Sequence, residues 1–203
     1  MSVKVKICGV CSVADARAAV RHGADFLGLN FHPASPRHVD LDTAGAIADA
    51  VPGTALIGVF VNPRRDSVES TARRLGLWGL QFHGDEPPEW CREFDRPTIK
   101  ALRARPGDDL AALAAAFDTD FVLVDSFVAG QRGGTGVALD PDLARGVSAD
   151  RLFVAGGLRA DTVADVVRRL RPFAVDVASG VERAPGIKDH EEIERFIRCA
   201  KAA

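Results

Sequence analysis

Short apolar runs alternate with longer stretches of helical period along nearly the whole chain, and that rhythm leaves few folds open. Candidate strands cover residues 3–8, 26–30, 55–61, 79–83, 98–102, 121–125, 152–155 and 174–177. Several are almost continuously apolar, as parallel strands packed under helices are. Candidate helices cover 13–22, 44–50, 67–75, 110–117, 162–170 and 190–200, with shorter ones over 88–94 and 141–147. Ser12 and Asp15 suit the start of the first helix and Gly23 its end. Pro87-Pro88 can open the fourth, and Asp161 is the expected N-cap of the seventh. Eight strand–helix pairs joined by right-handed crossovers predict an α/β fold, a (βα)8 TIM barrel forming a single domain over residues 1–203. An open doubly wound sheet shares the rhythm, but it often carries a Gly-rich turn after its first strand, where Gly9 here stands alone.

The balance of the chain narrows its partners. Hydrophobic residues make up 47% and the formal net charge is -2, with Lys and Arg spread out, so nucleic-acid binding is not expected. The densest basic group, Arg168, Arg169 and Arg171, falls at the end of a predicted helix, where cations suit the helix dipole. No apolar run reaches the roughly 20 residues that a membrane span needs. Four cysteines are too sparse for a disulfide scaffold, and no signal-peptide pattern opens the chain, so a cytoplasmic protein is expected.

In a barrel, functional side chains gather where the strands end. Cys8 ends the first strand in Val5-Lys6-Ile7-Cys8-Gly9, and Asp125 ends the sixth in Phe121-Val122-Leu123-Val124-Asp125. A nearby cation or helix N-terminus would lower the Cys8 thiol toward the thiolate that a base requires. A partly buried carboxyl at Asp125 suits the general acid, which must hold a proton to donate it. A buried inert Cys and a loop-bracing Asp are the plainer alternatives. Asp176 stands in a similar place on the eighth strand. Cys8 and Cys11 form a Cys-x-x-Cys spacing, but no second pair accompanies them, which leaves redox or zinc chemistry weakly supported.

Arg37, in Ser35-Pro36-Arg37, could grip a carboxylate with two parallel hydrogen bonds or simply lie in solvent. His83, in Gln81-Phe82-His83-Gly84-Asp85, could line a pocket or be structural. Gly156-Gly157 and Ser179-Gly180 follow the last two strands, where barrels often bind phosphate, and Gly133-Gly134-Thr135-Gly136 could fold over the same ligand.

Taken in order, these motifs resemble the phosphoribosylanthranilate isomerase family of tryptophan biosynthesis. Gly58-Val59-Phe60-Val61-Asn62, Ala155-Gly156-Gly157-Leu158, Val175-Asp176-Val177-Ala178-Ser179-Gly180-Val181-Glu182 and Pro185-Gly186-Ile187-Lys188-Asp189 extend the match over nearly the whole chain. The resemblance implies a barrel isomerase that turns N-(5'-phosphoribosyl)anthranilate into 1-(2-carboxyphenylamino)-1-deoxyribulose 5-phosphate. It also implies Cys8 as base, Asp125 as acid, Arg37 on the anthranilate carboxylate and the late Gly loops on the phosphate. Such acid–base chemistry needs no cofactor or metal. The expected partner is the small phosphosugar–anthranilate substrate, and the protein would be a monomer or homodimer. Cys11 and Phe82 depart from the family's more usual Thr and Leu. Two rivals remain: a sugar-isomerising barrel of histidine synthesis, expected to carry Asp where Cys8 stands, and a non-catalytic barrel acting as a binding subunit.

Overall fold

The structure, a computed structural model, describes residues 2–105, 107–126, 144 and 146–203. Strands β1 (Lys4–Cys8), β2 (Phe26–Asn30), β3 (Ala55–Phe60), β4 (Gly79–Phe82), β5 (Thr98–Ala104), β6 (Phe121–Ser126), β7 (Leu152–Val154) and β8 (Ala174–Val177) pair in parallel, each with the next. β8 returns to β1, with Lys6 opposite Asp176, and closes the barrel. Helices α1 (Val13–Arg21), α2 (Leu41–Ala50), α3 (Arg65–Leu75), α4 (Leu110–Ala115), α5 (Val163–Leu170) and α6 (His190–Lys201) are the α-helices among the described residues.

Local chemistry sets many of the ends. The side chains of Ser12, Asp40, Asp109 and Asp189 accept backbone N–H groups at the starts of α1, α2, α4 and α6. Gly76 ends α3 in the left-handed conformation, at a φ of 59°. Asp161, expected as a cap, is exposed and plays no such part. Thr162 occupies that position, and its hydroxyl is committed to Arg159, accepting from its N–H at 3.1 Å.

The expected helix over 88–94 is a single turn, with Trp90 N–H bonded to Pro87 and Cys91 N–H to Pro88. Glu93 adopts a left-handed φ of 62°, which breaks any continuation. The carbonyls of Trp90, Arg92 and Glu93, which a longer helix would engage, accept instead from the Arg65 guanidinium. Trp90 and Phe94 turn inward onto Phe82, with ring centroids 5.0 and 5.2 Å away. Aromatic burial wins over helix propagation here. Of the expected helix over 141–147, all but residues 144, 146 and 147 lie outside the described residues. A hairpin not anticipated, β9 (Glu182–Ala184) with β10 (Ile187–Lys188), follows β8 and turns at Gly186, whose φ is 80°.

Two apolar cores result. The larger lies between the barrel and its helices, and the smaller fills the barrel itself. Within the smaller, Phe26, Trp78, Phe121, Phe153 and Phe173 pack ring to ring and plug the end where the strands begin. Above the plug the inward positions become polar: Lys6 and Cys8 on β1, Gln81 and His83 on and just past β4, Asp125 on β6 and Asp176 on β8. Phe153→Ala should reduce the unfolding free energy by about 3–5 kcal/mol, read from urea denaturation, because the ring is fully buried among Phe26, Phe121 and Phe173.

Candidate active site

A pocket of about 600 Å³, including its open mouth, lies over the ends of the strands. It brings together Cys8, Arg37, His83, Asp125, Gly156, Gly157, Asp176, Ser179 and Gly180, which are the sequence-derived candidates among the described residues. Gly133, Gly134 and Thr135 fall outside those residues.

The inward positions of the strands form a hydrogen-bonded chain from Asp176 to His83, and Asp125 stands just beyond its end. The Lys6 ammonium, fully buried, donates to Asp176 Oδ2 at 3.0 Å and to Gln81 Oε1 at 2.9 Å. Gln81 Nε2 stands 3.1 Å from His83 Nδ1, and His83 Nε2 faces Asp125 Oδ2 at 3.6 Å. Asp176 Oδ1 borders the pocket buried and without a hydrogen-bond partner among the described residues. Burial pushes the Cys8 thiol up, and the Asp176 carboxylate adds to that; Lys6 and Lys188 pull it down without overcoming the rise. The sequence expectation of a lowered thiol is therefore reversed, since desolvation outweighs the cations. Burial likewise pushes Asp176 up, against the opposing pull of Lys6.

A second buried cluster fixes the rim. Arg37 is not a solvated side chain: Nε and Nη2 bind the two oxygens of Glu182 at 2.8 and 2.7 Å. That pairing uses one edge of the guanidinium and leaves the Nη1–Nη2 edge for another anion. Ser35 Oγ accepts from Arg37 N–H at 3.2 Å and from Asn30 Nδ2 at 3.1 Å, tying the Arg37 loop to the end of β2. Gly9 has to be glycine here, because a Cβ would fall 2.5 Å from Arg37 Cδ at a φ of 68°. Lys188, buried beneath, donates to Glu182 Oε1 at 2.8 Å, to the Cys8 carbonyl at 2.6 Å and to the Ala178 carbonyl at 3.0 Å.

The late loops interlock. Gly156 and Gly157 have φ values of 90° and 62°, and a Cβ on Gly180 would lie 1.9 Å from the Leu158 carbonyl oxygen. Below His83, Lys100 binds Glu86 Oε2 at 2.6 Å, and Glu86 accepts the N–H groups of Asn62 and Gly84. Cys11 lies outside the pocket lining; Cys8 and Cys11 are both free thiols.

Sequence reasoning missed Lys6, Gln81, Glu182 and Lys188 as site residues. Lys6 and Gln81 each sit two residues before a candidate, so strand alternation aims them into the same interior. That parity was readable. The partners they would meet across the barrel were not.

The fold and pocket define a (βα)8-barrel protein with acid–base groups gathered at the C-terminal mouth, the arrangement of barrel enzymes. The family profile described as N-(5'phosphoribosyl)anthranilate (PRA) isomerase matches residues 5–199. The N-(5'-phosphoribosyl)anthranilate isomerase of Myxococcus xanthus is 48% identical over 209 residues, spanning 100% of this chain and 98% of its own. Among solved structures, the phosphoribosyl anthranilate isomerase of Thermotoga maritima matches with a TM-score of 0.88 at 36% identity, covering 99% of this chain and 100% of that one. Another, determined in complex with reduced 1-(o-carboxyphenylamino)-1-deoxyribulose 5-phosphate, matches at 0.85 and 35% identity, with coverage of 99% and 100%. The chain belongs to the N-(5'-phosphoribosyl)anthranilate isomerase family.

The Glu182 carboxyl carries a pH signature. Burial opposes its ionisation, but Arg37 and Lys188 outweigh burial and hold it below the usual Glu range. A lowered folded value gives stability that is complete above the ordinary Glu value and lost as pH falls through the lower folded value. Glu182→Gln should therefore be less stable than the parent at neutral pH, with the gap narrowing near pH 4 and below. Urea titrations at the two pH values check this.

Proposed function

We propose that the chain catalyses the aldose–ketose rearrangement of N-(5'-phosphoribosyl)anthranilate, with Asp125 as general acid and Cys8 as base. The protonated Asp125 carboxyl donates to the ribose ring oxygen as the C1–O bond breaks. The anthranilate nitrogen lone pair moves to C1, giving an open-chain iminium ion. The Cys8 thiolate takes the C2 proton, and the C2–H electrons flow toward nitrogen, forming an enolamine. That intermediate tautomerises: the C2 hydroxyl proton leaves, C1 gains a proton, and the ketose results. No atom is gained or lost. The positive iminium acidifies the C2 proton, so a modest base is sufficient.

The observation that carries this reading is the meeting of Cys8 and Asp125 in one pocket of a chain that belongs to this family. The free edge of Arg37 suits the anthranilate carboxylate, and its Glu182 partner keeps it at the rim. The turns at Gly156-Gly157 and Ser179-Gly180 suit the phosphate, with Gly133, Gly134 and Thr135 assigned to the same end by sequence. His83 would orient Asp125, and the unpartnered oxygen of Asp176 would accept a sugar hydroxyl. Anchoring both acidic ends holds the sugar between the catalysts. A working free thiol close to a second thiol favours a reducing, cytoplasmic setting. The Cys at position 8 also argues against the histidine-synthesis barrel, which would carry Asp there.

A fluorescence assay with freshly made substrate tests the assignments. Cys8→Ser and Asp125→Asn should each lower kcat by roughly 100-fold or more with the fold intact by circular dichroism. Near-normal turnover in either would strip that residue of its role. Arg37→Ala should act mainly on KM, raising it about tenfold or more, as loss of a charged grip does. An unchanged KM would place the carboxylate elsewhere.

A further inference from the structure

We propose that Lys6 is a positioning residue of this isomerisation, its buried ammonium serving as the counter-charge for Cys8 when the thiol gives up its proton. The inference deepens the assignment of Cys8 as base and rests on it.

Among the described residues three cations stand near the thiol, and their hydrogen bonds separate them. Lys188 spends all three N–H groups on Glu182 and the carbonyls of Cys8 and Ala178. Arg37 is paired through two N–H groups with Glu182. Lys6 spends two N–H groups, on Asp176 and Gln81, and so keeps a third to give. Gly28 makes room for it beside Cys8. A Cβ there would lie 2.8 Å from Cys8 Sγ and 3.1 Å from Lys6 Cε, so the two side chains converge on the space it leaves empty. Among the described residues, the remaining charged or titratable groups facing the thiol's pocket are Asp176 from β8, His83 just past β4 and Asp125 from β6. Burial opposes the charge on Lys6, but the Asp176 carboxylate outweighs it and holds the ammonium in its charged form.

The same ammonium gives the chain of bonds a direction. A lysine can only donate, so the Gln81 oxygen faces it and the Gln81 amide nitrogen faces His83. His83 Nδ1 then accepts, which puts the neutral ring's proton on Nε2, aimed at Asp125. One buried cation thus holds the negative charge on the base and orients the imidazole beside the acid.

The test is a cycle on the full-length, ligand-free protein: the parent, Lys6→Met, Asp176→Asn and the double variant. The pH midpoint of Cys8 alkylation by iodoacetamide is read by mass spectrometry of the Cys8 peptide. Lys6→Met should raise that midpoint by about one pH unit or more in both the Asp176 and the Asn backgrounds. Asp176→Asn alone should lower it. The double variant leaves neither buried charge unpaired, so it guards against a Lys6→Met protein that fails to fold. Nitrogen NMR of His83 should report the Nε2–H tautomer in the parent and a mixture of tautomers once Lys6 is replaced. In turnover, Lys6→Met should lower kcat by roughly tenfold or more with a smaller effect on KM. A midpoint that Lys6→Met leaves unmoved in the Asn background overturns the inference, even if Cys8→Ser is inactive. A fully active Cys8→Ser removes the base assignment, and this inference falls with it.

Discussion

Eight parallel strands closed on themselves give every second residue one shared interior, and that interior must be filled or wetted deliberately. At the end where the strands begin, aromatic rings fill it, and those of Phe26, Phe121 and Phe153 pack against one another. At the other end the same inward positions hold polar groups. The change from apolar to acidic takes place within two residues on β6, from Leu123 to Asp125, and on β8, from Ala174 to Asp176. Function is thus a matter of depth in the barrel. The plug makes the floor that the pocket needs.

Placing charges on that floor is costly unless each has a partner, since an uncompensated buried charge destabilises a protein by about 3–5 kcal/mol. Among the described residues three buried lysine–carboxylate pairs meet the constraint: Lys6 with Asp176, Lys188 with Glu182 and Lys100 with Glu86. Each pair also does a positional task. Lys100 and Glu86 fasten the turn after β4 that carries His83. Lys188 and Glu182 clamp the Cys8 backbone and Arg37 from the hairpin after β8. Lys6 and Asp176 join the first and last strands directly beneath the thiol. Breaking any pair would disturb geometry as well as stability, so the electrostatics of the site and the closure of the barrel are parts of one arrangement.

Much of this was legible in the residues. The eight strand positions were readable because parallel strands under helices are apolar and short, and most ends coincide with those expected. Cys8, His83, Asp125 and Asp176 were readable because each lies at or close to a strand's C-terminal end, whereas Arg37, in the loop past β2, took its role from the family resemblance. The turn at 88–91 was hidden, because it depends on Arg65, more than twenty residues earlier, binding the carbonyls of Trp90, Arg92 and Glu93. The raised thiol was hidden as well: a sequence lists cations but gives no measure of desolvation.

The sequence by itself determined the barrel, the mouth where its chemistry gathers and the family, since periodicity, strand parity and ordered motifs are properties of neighbouring residues. Only the tertiary structure decided which charge answers which. Lys6 and Asp176 are 170 positions apart and Arg37 and Glu182 are 145 apart, and nothing local distinguishes their pairing from others of the same sign. Closure of the sheet brings them within hydrogen-bond reach, and exclusion of water then makes those few contacts dominate the site.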